Sequence, residues 1–189
     1  MRLSFRKKYN TSEKIKEATL NILARDGYED ISMRKIAKEA DVALGQLTYY
    51  YKTKNNLIVV VVDEVLDMFY DGLKERVSSS ENKTEEIVSS IENVINEDTQ
   101  VDQLLITVIS MAQVNKRLNK RLNKFYEDIL GFVSSCLRQD NPTLSENDSN
   151  MKARLLAGSA IEGMIEKSIG INNLNNSLIR ETANTMREN

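Results

Sequence analysis

The chain has 189 residues, with 26 Lys+Arg against 28 Asp+Glu, no histidine, no tryptophan, one cysteine and one proline. At 41% apolar content it can bury a core, as one large domain or as a small head on a larger body. The lack of histidine excludes Ser-His-Asp and Cys-His catalysis, histidine-liganded zinc and an imidazole switch, and the lone Cys136 excludes disulfide frameworks and cysteine-only metal sites.

The net charge of −2 averages two unlike parts. Residues 1–54 hold 12 Lys+Arg and 7 Asp+Glu, a net of +5, and residues 55–189 hold 14 and 21, a net of −7. A basic head that meets a polyanion and an acidic body that does not is the expectation. The stretch MRLSFRKKYN lacks an apolar signal region, and the longest apolar run, residues 57–62, is far too short to span a membrane. A cytoplasmic protein without membrane contact is expected.

One proline and seven glycines point to an all-α chain. Residues 13–25 carry Ile15, Ala18, Ile22 and Leu23 at helical spacing and stop at Gly27. Ser32 reads as the N-cap of a short helix over 33–40. A tight connection at 41–44 leads into a third helix ending near Tyr51, and Thr53 caps a long fourth helix over 54–77. Its stripe is Leu57, Val61, Val65, Phe69, Leu73 and Val77. Further periodic stretches fall at 85–95, 101–114, 117–137, 151–171 and 174–187, with 139–150 and its Pro142 as the one long loop. Nine or ten helices result, divided into a head over 1–53 and a body over 54–189.

Two short helices joined by a four-residue turn, with a supporting helix in front, form a helix-turn-helix unit. Leu23, Ile31, Ile36, Val42, Leu47 and Tyr51 can share its core, and Ala37 is small enough for close approach. The third helix then presents Leu44, Gly45, Gln46, Thr48, Tyr49 and Tyr50. A charge-free, tyrosine-rich exposed face suits a helix in the major groove better than one in water.

Across Ile31-Ser32-Met33-Arg34-Lys35-Ile36-Ala37, Ala40-Asp41-Val42-Ala43, Gly45-Gln46-Leu47-Thr48-Tyr49-Tyr50-Tyr51 and Thr53-Lys54-Asn55-Asn56-Leu57, the chain resembles the TetR (tetracycline repressor-like) family of bacterial transcriptional regulators. The match is ungapped over about 45 residues including the first helix. It departs at Asp41, where the family usually has glycine and the turn needs a left-handed residue. It departs again at Thr48, where tyrosine is common, and at Tyr50, where histidine is common.

The resemblance implies roles at DNA. Gln46 is expected to read an adenine edge, with Thr48 and Tyr49 reaching thymine methyls or phosphates. Tyr50 and Lys54 are expected to clamp the backbone, with Ser32 and Arg34 at the amino end of the second helix. Leu44 and Gly45 complete the contacting face. An arm with Arg2, Arg6, Lys7 and Lys8 either tracks the duplex or is a solvated tail.

One head makes too few base contacts for genomic specificity, so a homodimer on a palindrome is expected. Its seam is assigned to Leu118, Leu122, Phe125, Ile129 and Phe132 on one helix and to the small residues Ala157, Gly158, Ala160 and Gly163 on another. Relatives bind a small effector in the body. Met68, Phe69, Met111, Gln113, Tyr126 and Met164 are the candidate pocket walls. Glu162 falls inside an apolar arc with Met151, Leu155 and Ile169, where it needs an arginine across the dimer or a cationic ligand; the structural role is preferred. The expectation is a non-enzymatic, effector-released repressor without cofactor or metal. The alternative is an all-helical dimeric interaction protein whose helix-turn-helix no longer functions.

Overall fold

Asn10 opens the first helix by accepting the Ser12 amide on its side-chain oxygen at 3.2 Å, and α1 runs Thr11–Asp26. It ends at Gly27, whose φ of 76° turns the chain while its amide donates to the Leu23 carbonyl. Ser32 caps α2, Met33–Glu39, by accepting the Lys35 amide at 3.2 Å. The turn to α3, Leu44–Tyr50, passes through Asp41 at φ 52°, the left-handed conformation expected there, and closes with the Val42 amide on the Ala37 carbonyl at 3.0 Å. Thr53 then caps α4, Lys54–Ser79, by accepting the Asn56 amide. The remaining helices are α5 Lys83–Asn96, α6 Gln100–Ala112, α7 Lys116–Asp140 and α8 Glu146–Ser168.

The computed structural model describes residues 10–96, 100–170 and 181. Among the described residues the fold is all-α, with eight helices and an amino-terminal helix-turn-helix. The helix expected over 174–187 lies outside them apart from Glu181, as does the arm with Arg2, Arg6, Lys7 and Lys8. The long loop expected at 139–150 is shorter than the sequence suggested. Helix α7 continues to Asp140, and Ser145 accepts the Asp148 amide at 3.1 Å to start α8 at Glu146. Pro142 therefore marks a brief connection only. Glu146 and Asp148 in the first turn suit the positive end of the helix.

The chain packs as two compact units, one of residues 10–67 and 103–122, the other of 68–96, 100–102 and 123–170. In the first, α1 packs on α2 and α3. Ile15, Leu23, Ile36 and Leu47 are wholly buried, each worth about 1.5–3 kcal/mol over exposure. Ala37 is buried beside them, and the Tyr51 hydroxyl shares a 2.8 Å hydrogen bond with Ser12 that ties the end of α3 to the start of α1. Two further ties hold the first half of α4. Lys16 of α1, itself buried, donates to both carboxylate oxygens of Glu64 at 2.7 Å. Arg121 of α7 pairs with Asp63 at 3.2 Å and with Asp67.

In the second unit α5 packs on α8. Contact is close because Gly163 has no side chain: a Cβ there would stand 2.7 Å from Ile95 Cδ1. The Asp140 carboxylate accepts both the amide and the hydroxyl of Thr84 at 2.6 Å, joining the end of α7 to the start of α5. Ser134 donates to Ser149 at 2.9 Å in the interior between α7 and α8.

Candidate nucleic-acid interface

Only Leu47 of α3 is buried, which sends the rest of this seven-residue helix outward. Leu44, Gly45, Gln46, Thr48, Tyr49 and Tyr50 are all exposed, and the helix carries no charged residue. Tyr49 is the extreme case at 77% exposure, its ring edge-on to Tyr50 with centroids 5.5 Å apart. Water gains nothing from so much aromatic surface, and a partner with apolar and polar edges does.

The polar side chains on this face are held by their own backbone. Gln46 Oε1 accepts the Ala43 amide at 3.1 Å, satisfying one of the donors left open at the start of α3. The carboxamide NH₂ keeps its two donors for an external partner. Thr48 donates its hydroxyl to the Gly45 carbonyl at 3.1 Å, so its methyl and its oxygen lone pairs serve the surface.

Two acidic groups of α1 and α2, Asp26 and Glu39, are drawn into ion pairs. Asp26 meets Arg25 at 2.9 Å and Lys35 at 3.0 Å, and Arg25 also reaches Glu39 at 2.9 Å. Hydrogen bonds, first from Arg25 and then from Lys35, hold the Asp26 carboxyl down at about 2. Arg34 is exposed one residue before Lys35, and Ser32 is spent on capping α2. Lys54, at the first position of α4, lies with Nζ 4.2 Å from the centre of the Tyr28 ring. The Tyr28 hydroxyl donates to Asn55 Oδ1 at 3.1 Å. Neither Tyr28 nor Asn55 was singled out by sequence reasoning. Nothing local links the α1–α2 turn to the start of α4; only the fold brings them together.

A family model for bacterial regulatory proteins, tetR family, matches residues 15–61, which take in α1 to α3 and the start of α4. Over 155 residues, 82% of each chain, the protein is 24% identical to an HTH-type transcriptional regulator of Staphylococcus aureus. Over residues 15–61 the chain carries the amino-terminal region of the TetR family. It is a transcriptional regulator with a DNA-binding helix-turn-helix. Solved structures share the fold of this chain. Salmonella enterica GusR superposes with a TM-score of 0.76 at 20% identity, with 94% of each chain covered. A transcriptional regulator from Saccharomonospora viridis in complex with choline reaches 0.82 at 15% identity, covering 96% of this chain and 97% of that one. Among the described residues no helix is long and apolar enough to cross a membrane.

The residues expected at the dimer seam and effector pocket divide. Leu118, 1% exposed, and Gly163, closed off by Ile95, are taken up inside the chain rather than offered to a second copy. Phe125 and Phe132 are half-buried, edge-on to Phe69 and Tyr70 respectively. Leu122, Ile129, Ala157 and Ala160 are also half-buried, and Gly158 is exposed. Glu162 does lie in an apolar arc, but the arc faces outward. Met151, Leu155, Ile161, Ile165 and Ile169 are exposed around it, and Glu162 is exposed with them, so within one chain its charge needs no buried partner. Of the expected pocket walls, Met111 and Met164 are buried, Met68 and Phe69 half-buried, and Gln113 and Tyr126 exposed. A cleft of about 590 Å³ in the second unit is lined instead by Glu81, Thr84, Leu137, Asp140, Leu144 and Lys152 among others, and includes none of them.

Proposed function

We propose that the protein is a homodimeric repressor that reads a palindromic operator with α3 and leaves it when a small molecule binds the body. The observation that carries the DNA reading is the uncharged, exposed outer face of α3. Residues 1–53 act as the DNA-binding domain, and 54–189 as the effector-binding and dimerisation domain. Gln46 reads a base edge, with Leu44, Gly45, Thr48 and Tyr49 lining the groove. Tyr50, Lys54, Ser32 and Arg34 position the duplex through its phosphates, which fix register without carrying sequence. No catalysis and a cytoplasmic location complete the proposal.

The exposed arc of α8 supports self-association. Met151, Leu155, Gly158, Glu162, Ile165 and Ile169 follow one another at alternating spacings of four and three residues, the seam of a helix that packs along another helix. The half-buried Leu122, Phe125, Ile129, Phe132, Ala157 and Ala160 can widen that seam. For the effector, Met68, Phe69, Met111, Gln113, Tyr126, Glu162 and Met164 remain the proposed contacts. The choline bound by the Saccharomonospora viridis protein makes a small organic cation a reasonable first compound to try.

Footprinting on the DNA upstream of the gene, repeated with candidate metabolites, tests this directly. A protected palindrome that is lost on adding one compound is the expected result. On that operator Gln46→Ala should cost about 1–3 kcal/mol, with little effect on unrelated DNA. Absence of binding at low salt would instead favour an interaction protein with a disused helix-turn-helix.

A further inference from the structure

We infer that Tyr28 is a positioning residue for DNA binding, holding the Lys54 ammonium where it meets a phosphate; the inference rests on the DNA-binding reading proposed above. Lysine is a compact charge on a flexible four-carbon stem, and fixing such a stem on binding costs affinity unless it is already placed. Here two contacts place it. The Lys54 ammonium lies 4.2 Å from the centre of the Tyr28 ring, within the range of a cation–π attraction. The ring itself is fixed, because the Tyr28 hydroxyl donates to Asn55 Oδ1 at 3.1 Å. One aromatic side chain thus engages two successive residues at the start of α4, its face to Lys54 and its hydroxyl to Asn55.

The backbone secures both ends of this arrangement. Tyr28 follows Gly27, whose φ of 76° sets the direction of the turn, and its carbonyl accepts the Ile31 amide. Lys54 follows Thr53, whose hydroxyl accepts the Asn56 amide at 3.1 Å and squares the first turn of α4. A ring face uses one side of an ammonium only. The group has three N–H donors, so those turned from the ring stay available to a phosphate oxygen. The ring also draws the cation by its quadrupole without cancelling its charge, as a carboxylate would.

A double-mutant cycle in the full chain tests the inference, using a duplex of arbitrary sequence at low salt, since a phosphate contact acts on every sequence. Tyr28→Leu should weaken binding by about 2- to 10-fold, the cost of ordering one long side chain. Tyr28→Phe, which keeps the ring face, should recover most of that loss. Lys54→Ala should weaken binding and lower the salt dependence by about one phosphate contact. In the Lys54→Ala background, Tyr28→Leu should change nothing further. An equal loss from Tyr28→Leu in both backgrounds would overturn the inference and assign Tyr28 to general stability, as would no loss in either. Proton NMR of the free protein checks the geometry separately: ring-current shifts at the Lys54 side-chain methylenes should vanish in Tyr28→Leu, and their absence in the wild type would also overturn it. Failure of the wild type to bind any duplex would sink the DNA reading itself, an outcome distinct from additivity in the cycle.

Discussion

Gly163→Ala places a single methyl group where α8 lies against α5. The added Cβ would stand 2.7 Å from Ile95 Cδ1, 3.3 Å from Cγ1 and 3.5 Å from Cγ2, and the first of these is shorter than any ordinary carbon contact. Ile95 is 1% exposed, so its tip has little room to retreat. Overpacking of this kind costs about 1–3 kcal/mol. Against it, alanine gains about 1 kcal/mol over glycine inside a helix. The net expectation is a loss between about 0 and 2 kcal/mol. Ile95→Val deletes the offending Cδ1, at its own cost of about 0.5–1.5 kcal/mol. In that background Gly163→Ala should turn stabilising, by about 1 kcal/mol. Urea unfolding of the four proteins at one fixed concentration measures the coupling. If Gly163→Ala were stabilising by the same amount in both backgrounds, the close approach of α8 to α5 would be refuted. The cycle also addresses the dimer, because a glycine used only between subunits would not couple to Ile95.

The Asp26 carboxyl should titrate near 2 by NMR, and Lys35→Ala should move it upward, since Lys35 supplies the second of its hydrogen bonds. Its folded value lies below its unfolded one, so its contribution to stability is present above about pH 4 and lost as pH falls through about 2. Asp26→Asn should therefore flatten the acid limb of the stability curve, and an unchanged limb would contradict the pairing. Burial pushes the Cys136 thiol up to about 11. Its alkylation by iodoacetamide at pH 8 should follow global unfolding, and fast labelling of the native protein would disprove the burial.

Local signals read well from sequence because the groups involved are neighbours. Ser32, Thr53 and Ser145 cap helices through amides three residues ahead, yet only the first two were given their due. At 139–150 Pro142 alone suggests a long loop, although a proline just beyond a helix end is compatible with a short connection. The outer face of α3 was legible because one residue, Leu47, fixes the orientation of a seven-residue helix. In α8 the pattern is ambiguous by nature. Apolar residues lie on two sides, and which side turns inward depends on the arrival of Ile95 at Gly163 from another helix. The same limit hid Tyr28, because the partnership with Lys54 and Asn55 exists only after α1 and α4 have met.

The two ion-pair ties on α4 have a mechanical consequence. Asp63 and Glu64 are adjacent, so on an α-helix their side chains leave the axis about 100° apart. One is held by Arg121 of α7 and the other by Lys16 of α1. A twist of α4 about its own axis stretches one tie or both. Within the first unit the two ties therefore oppose rotation of the first half of α4 about its own axis.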